Sequence, residues 1–134
     1  AKFTEAYTRA GVSPDGSSTW FLPRLIGHTR AMQLILMNDM LTAEKALEWG
    51  LVNEILDDEQ LMIRTLEVAH QLAEGPTLAY GEAKRLVADS HSNTLETQME
   101  LETRAICGLA RASADTKEGI DAFTNKRKPT FKGE

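Results

Sequence analysis

Cysteine is almost missing. Cys107 is the only one in 134 residues, which excludes an internal disulfide and fits a reducing compartment. Long apolar runs are missing too: no stretch approaches the ~18–20 residues that span a bilayer. The N-terminus also lacks the basic-then-apolar pattern of a secretory leader, so a cytosolic or organelle-matrix location, cytoplasmic by preference, with no membrane role is the expectation. Basic residues are in the minority, 15 against 20 acidic, and the net charge of −5 has the wrong sign for a general nucleic-acid binder. Histidine is scarce and scattered as His28, His70 and His91, without the spacing of metal ligands, and no metal is expected. Gly-x-x-x-x-Gly-Lys, Gly-x-Gly-x-x-Gly, His-Glu-x-x-His and Cys-x-x-Cys are all absent, which removes those phosphate, dinucleotide and metal mechanisms.

What remains is an ordinary globular composition, 42% apolar and 26% charged, at a length that favours one domain. Turn formers dominate Gly11-Val12-Ser13-Pro14-Asp15-Gly16-Ser17-Ser18, which predicts a loop. An apolar helix follows from Thr19 to Gly27, with Pro23 early in it, and a second from His28 to Met37 that is apolar on nearly every side. Thr42 caps a short helix stopped at Trp49-Gly50, and the alternation of Leu51-Val52-Asn53-Glu54-Ile55-Leu56 predicts a strand. Asp57 and Asp58 open an amphipathic helix whose stripe is Leu61, Met62, Thr65, Leu66, Ala69, Leu72 and Ala73. Pro76 starts a helix burying Ala79, Ala83, Leu86 and Val87. The helix from about 94 to 111 is expected to bury Leu95, Met99, Ile106 and Leu109 and to turn Leu101 toward a partner. A last helix runs from about Asp115 to Lys126 with Ile120, Ala122 and Phe123. The class is therefore mainly α with one or two short strands, and the broad apolar helices and ragged start read as part of something larger.

Two clusters carry chemical interest. Asp15 places a carboxylate on a small-residue loop before a helix, where a ligand reaches the backbone easily; alternatively it is only the N-cap of that helix. At the other end Phe123, Lys126, Arg127, Lys128, Phe131 and Lys132 suit a phosphorylated, base-containing ligand, cations on phosphate and a ring against the base. The same cations would also offset the dipole of the last helix.

The run Ala1-Lys2-Phe3, Gly11-Val12-Ser13-Pro14-Asp15, Thr19-Trp20-Phe21-Leu22-Pro23-Arg24-Leu25-Ile26-Gly27, Leu41-Thr42-Ala43-Glu44-Lys45-Ala46, Trp49-Gly50-Leu51-Val52 and Glu118-Gly119-Ile120-Asp121-Ala122-Phe123 resembles the crotonase superfamily of enoyl-CoA hydratases and isomerases. The resemblance covers essentially the whole chain and implies the C-terminal part of an α/β crotonase-like spiral. Residues 1–56 would end the spiral core, and 57–134 would be a helical trimerisation and CoA-contact region. It further implies an acyl-CoA substrate, no cofactor beyond the CoA thioester itself, and a homotrimer or hexamer. The two backbone amides of the family's oxyanion hole would lie upstream of Ala1.

Of the hydratases' two glutamates, one would also lie upstream and the other aligns with Tyr7, which is no carboxylate base. Ring-epoxide isomerases instead carry Pro-Asp-x-Gly-Gly-Thr-Trp, here Pro14-Asp15-Gly16-Ser17-Ser18-Thr19-Trp20, with serines at both glycine positions. The resemblance thus implies Asp15 as catalytic base, Tyr7 and Trp20 beside the acyl group, and Phe123 and Lys126 on CoA. A non-catalytic helical oligomerisation module is the contrasting expectation.

Overall fold

The computed structural model describes residues 1–134, which divide into two compact units, Ala1–Asp58 and Glu59–Glu134. No helix is long and apolar enough to cross a membrane.

In the first unit, β1 (Lys2–Phe3) pairs antiparallel with β2 (Leu41–Thr42), Phe3 opposite Leu41. Between them lie α1 (Ser18–Ile26) and α2 (His28–Met37), and α3 (Ala43–Glu48) follows β2. The period of 3.6 residues puts Leu22 and Ile26 of α1 and Ala31, Leu34 and Ile35 of α2 on facing stripes. With Leu41 and Ala46 they form the buried core, and Phe3, Trp49, Leu51 and Val52 pack against it. Ala31 and Ala46 have no exposed surface, so α2 and α3 each meet the core through a small side chain there. A single residue joins α1 to α2: Gly27, at φ 83° and ψ 155°, a region closed to residues with a side chain. Thr42 caps α3 as expected, its Oγ1 accepting from the Lys45 amide at 3.3 Å, a bond worth ~1 kcal/mol to such a helix.

The strand expected at Leu51–Leu56 is not there. The Leu51 and Val52 amides donate back to the Ala46 carbonyl at 2.8 and 3.4 Å, so this stretch closes the end of α3 rather than joining a ladder. Its first two apolar residues, Leu51 and Val52, pack against the core, while Ile55 and Leu56 are exposed, so no alternating face is buried. The observed strands are too short to leave a period in the sequence.

The second unit takes in α4 (Asp58–Ala73) from its second residue on, α5 (Thr77–Ser90), α6 (Leu95–Ala112) and α7 (Ala114–Thr124). Helices α5 and α6 pack together, as do α6 and α7. Thr94 and Ser113 cap α6 and α7 by accepting from the Thr97 and Thr116 amides. The expected burial pattern is corrected here. On α6, Leu95, Met99 and Ile106 are 71%, 57% and 67% exposed, whereas Leu101, Ala105 and Leu109 are half-buried. A polar bond sets this rotation: Gln98 Nε2 donates to the Leu86 carbonyl of α5 at 3.0 Å, drawing the stripe through Gln98, Leu101 and Ala105 inward. No residue of α4 is buried, and its stripe of Leu61, Met62, Leu66 and Leu72 is exposed, as are Val87 on α5 and Ile120 on α7. Each apolar helix has more apolar surface than its neighbours in this unit cover.

Candidate active site

The Asp15 loop is held from behind. Asn38 ends α2 in the left-handed conformation (φ 56°), which turns its side chain back toward a 3-10 turn at Thr8–Ala10. Thr8 Oγ1 donates to the Ile35 carbonyl at 2.6 Å and accepts from Asn38 Nδ2 at 2.8 Å, while the Arg9 amide donates to Asn38 Oδ1 at 3.2 Å. The turn is therefore bolted to the end of a core helix, and Tyr7 immediately precedes it. The Tyr7 carbonyl accepts from the Ala10 and Val12 amides at 2.9 and 3.1 Å, which fixes its backbone.

From that position the Tyr7 hydroxyl donates to Asp15 Oδ1 at 2.6 Å. This bond, and the negative charge of Asp15, push the Tyr7 phenol above its usual range because ionising it would lose the one and face the other. Asp15 is not the N-cap of α1. That position belongs to Ser17, which makes no side-chain cap bond, and Asp15 contributes only its carbonyl, accepting from the Ser18 amide at 3.1 Å. The cap reading fails because Gly16 and Ser17 both take positive φ, 59° and 64°, and this bend puts the Asp15 side chain on the Tyr7 side. Ser18 is anchored separately, its Oγ donating to Glu5 Oε2 at 3.2 Å.

Trp20 starts the exposed side of α1, edge-on to Phe21 with ring centroids 4.7 Å apart. The Arg24 guanidinium lies 3.9 Å over its ring and donates to the Trp20 carbonyl at 2.8 Å. Arg24 is a cation that sequence reasoning missed; the i, i+4 spacing from Trp20 was the available signal.

Phe123 and Lys126 belong to the second unit, at the C-terminal end of α7. Phe123 is 87% exposed, and Lys126 adopts φ 53° with its amide donating to the Phe123 carbonyl. Lys126 is thus the left-handed residue that ends the helix, a position usually filled by glycine. Arg127, by contrast, is spent internally. It forms a two-pronged pair with Glu118 at 2.6 and 2.7 Å and reaches Asp121, holding Glu118 down at about 2, with the Thr130 amide adding to the effect. The buried Asp115 carboxylate, also missed, accepts the Lys132 and Gly133 amides at 2.7 and 2.8 Å. These contacts strap residues 127–134 along α7, leaving fewer free cations than the sequence cluster promised.

The whole chain, residues 1–134, matches the sequence model of the enoyl-CoA hydratase/isomerase family. The chain belongs to that family. It is 44% identical over 133 residues, 99% of its length and 50% of the relative's, to the 1,2-epoxyphenylacetyl-CoA isomerase of Escherichia coli K12. The crystal structure of an enoyl-CoA hydratase subunit I from Geobacillus kaustophilus superposes with a TM-score of 0.94 at 36% identity, covering all of this chain and 52% of that one. An enoyl-CoA hydratase of Bacillus anthracis gives 0.92 at 32% identity, again over the whole chain and 52% of its own. The fold is accordingly crotonase-like and mainly α over this stretch. The chain spans about half the length of the curated relatives it matches.

Proposed function

We propose that this enoyl-CoA hydratase/isomerase family chain serves an acyl-CoA isomerase, with Asp15 as the base that moves a proton at the carbon α to the thioester. In the forward step on a β,γ-unsaturated thioester the Cα–H bond breaks, a carboxylate oxygen of Asp15 takes the proton, and the electron pair passes into the conjugated thioester as a dienolate. Asp15 then returns the proton at Cγ while the C–C double bond moves to the α,β position and the carbonyl re-forms. The oxyanion hole that holds the enolate is supplied from outside these 134 residues. Trp20 flanks the acyl group, while Phe123 and Lys126 meet the adenine and phosphates of CoA. No cofactor is required, because the thioester itself delocalises the charge.

The observation that carries this reading is the pairing of an exposed Asp15 with Tyr7. Hydration needs one group to activate water and one to deliver the α-proton. Within these residues the position that aligns with a hydratase glutamate is a phenol bonded to Asp15, so the bend offers Asp15 and no second base at that position, which favours isomerisation, a one-base shuttle. The similarity to a 1,2-epoxyphenylacetyl-CoA isomerase supports the same choice.

Residues 1–56 fit the end of a spiral core and 57–134 a trimerisation and CoA-contact region. The exposed stripe Leu95, Met99 and Ile106 supports assembly as a trimer or a pair of trimers. Cys107 is a free thiol, in keeping with a reducing compartment, which this reading takes to be the cytoplasm.

The test is Asp15→Asn in the full natural chain, following exchange of the α-protons of phenylacetyl-CoA into D2O. Loss of a general base predicts a fall of at least ~100-fold, with affinity for the thioester held within about twofold since the carboxamide is isosteric. Unchanged exchange would overturn the assignment.

A further inference from the structure

Asp15 sits on an exposed loop, and a carboxylate there has rotameric freedom that a proton shuttle must restrict: reacting atoms need to be held about 3–3.5 Å apart in a fixed direction. The loop's own bonds leave the carboxylate free: the Asp15 carbonyl accepts from the Ser18 amide, and the Ser18 hydroxyl donates to Glu5. One side chain reaches the carboxylate group itself. We infer that Tyr7 is the positioning residue of the site, its hydroxyl holding Asp15 Oδ1 so that Oδ2 is the oxygen presented to the α-proton.

Three features of the structure carry this. The hydroxyl lies 2.6 Å from Oδ1, a short bond of the kind a phenol makes to a carboxylate. Tyr7 is half-buried, which narrows the directions its ring can take compared with a side chain free in solvent. Its backbone is tied through Thr8, Arg9 and Asn38 to the last turn of α2, whose Leu34 and Ile35 are core residues. Rigidity is thereby carried from the core to an exposed acid in two bonded steps. The elevation of the Tyr7 phenol, caused first by the bond to Asp15, is the reciprocal mark of the same contact. A tyrosine expected to line the acyl pocket thus has its polar end occupied by the base.

This inference rests on the reading of Asp15 as base, and the experiment separates the two. Tyr7→Phe in the full natural chain is expected to lower the α-exchange rate at saturating phenylacetyl-CoA about 3- to 10-fold, with the half-saturating concentration within twofold. Adding Tyr7→Phe to Asp15→Asn is expected to cost nothing more. Independently, 3-fluorotyrosine at position 7 reports its own ionisation by fluorine NMR: its midpoint is expected to fall when Asp15 becomes Asn. An unmoved fluorine midpoint, or a Tyr7→Phe protein with native saturated rate, overturns the positioning role while leaving the base intact. If Asp15→Asn itself exchanges normally, both readings fall.

Discussion

Two adjacent serines stand where the ring-epoxide isomerase pattern has glycines, and replacing each with glycine is expected to change stability in opposite directions. Ser17 is held at φ 64° and ψ 15°, and its side chain makes no cap bond, so its hydroxyl contributes nothing to offset the strain. A residue with a side chain pays roughly 1–2 kcal/mol in that region, and glycine's extra freedom in the unfolded chain takes back about 0.5–1 kcal/mol. Ser17→Gly should therefore stabilise by about 0.5–1 kcal/mol. Its carbonyl, which accepts the Trp20 and Phe21 amides at 3.0 Å each, is untouched. Ser18 is the first residue of α1 and donates to Glu5 at 3.2 Å. Ser18→Gly loses that bond, about 1 kcal/mol, and adds several tenths for glycine in a helix, a destabilisation of about 1–2 kcal/mol. Urea unfolding followed by circular dichroism separates them: with a slope of roughly 2 kcal/mol/M, Ser17→Gly moves the midpoint up by about 0.3–0.5 M and Ser18→Gly moves it down. Midpoints shifting the same way would refute the account of this bend. Because glycine keeps the positive φ that turns Asp15 toward Tyr7, the stabilised variant should also keep its α-exchange rate.

The tail strap is pH-dependent in a defined sense. Glu118 is held at about 2, well below its ordinary 4.5, so its contribution is fully present above about pH 4.5 and is lost as pH falls toward 2; the protection of the Thr130 amide relative to its intrinsic exchange should fall across that window, and constant protection would remove Glu118 from the strap. Lys126→Gly removes the cation and relieves the left-handed strain together, so it should weaken binding of CoA and reduce its salt dependence without loss of stability, read by calorimetry at two salt concentrations. Equal affinity would take Lys126 out of the CoA site.

Much of the fold was legible because local signals agreed with it. Thr42, Thr94, Pro76 and Gly50 marked helix ends by chemistry that acts within four residues, and the structure uses them. The strands were illegible for the opposite reason: Lys2–Phe3 and Leu41–Thr42 are two residues each and pair across a long separation, whereas of the alternation at Leu51–Leu56 only Leu51 and Val52 pack against the core. Inward and outward faces of α6 were exchanged because Leu95, Met99, Ile106 and Leu101 are equally apolar, and a single Gln98 bond decides between them. At the site, Asp15 and Tyr7 were both visible as residues, but not their contact, which depends on the bend made by Gly16 and Ser17. Arg127 illustrates the converse: the sequence counted it with the ligand-facing cations, and the structure commits it to Glu118 and Asp121.

All five methionines, Met32, Met37, Met40, Met62 and Met99, are among the exposed apolar residues. Thioethers react with peroxide according to their accessibility, and each sulfoxide adds one oxygen to an identifiable peptide. The chain consequently carries its own footprinting reagent. A brief oxidation of the full natural chain followed by mass spectrometry would record, sulfur by sulfur, which of its greasy faces are covered there and which stay open to water.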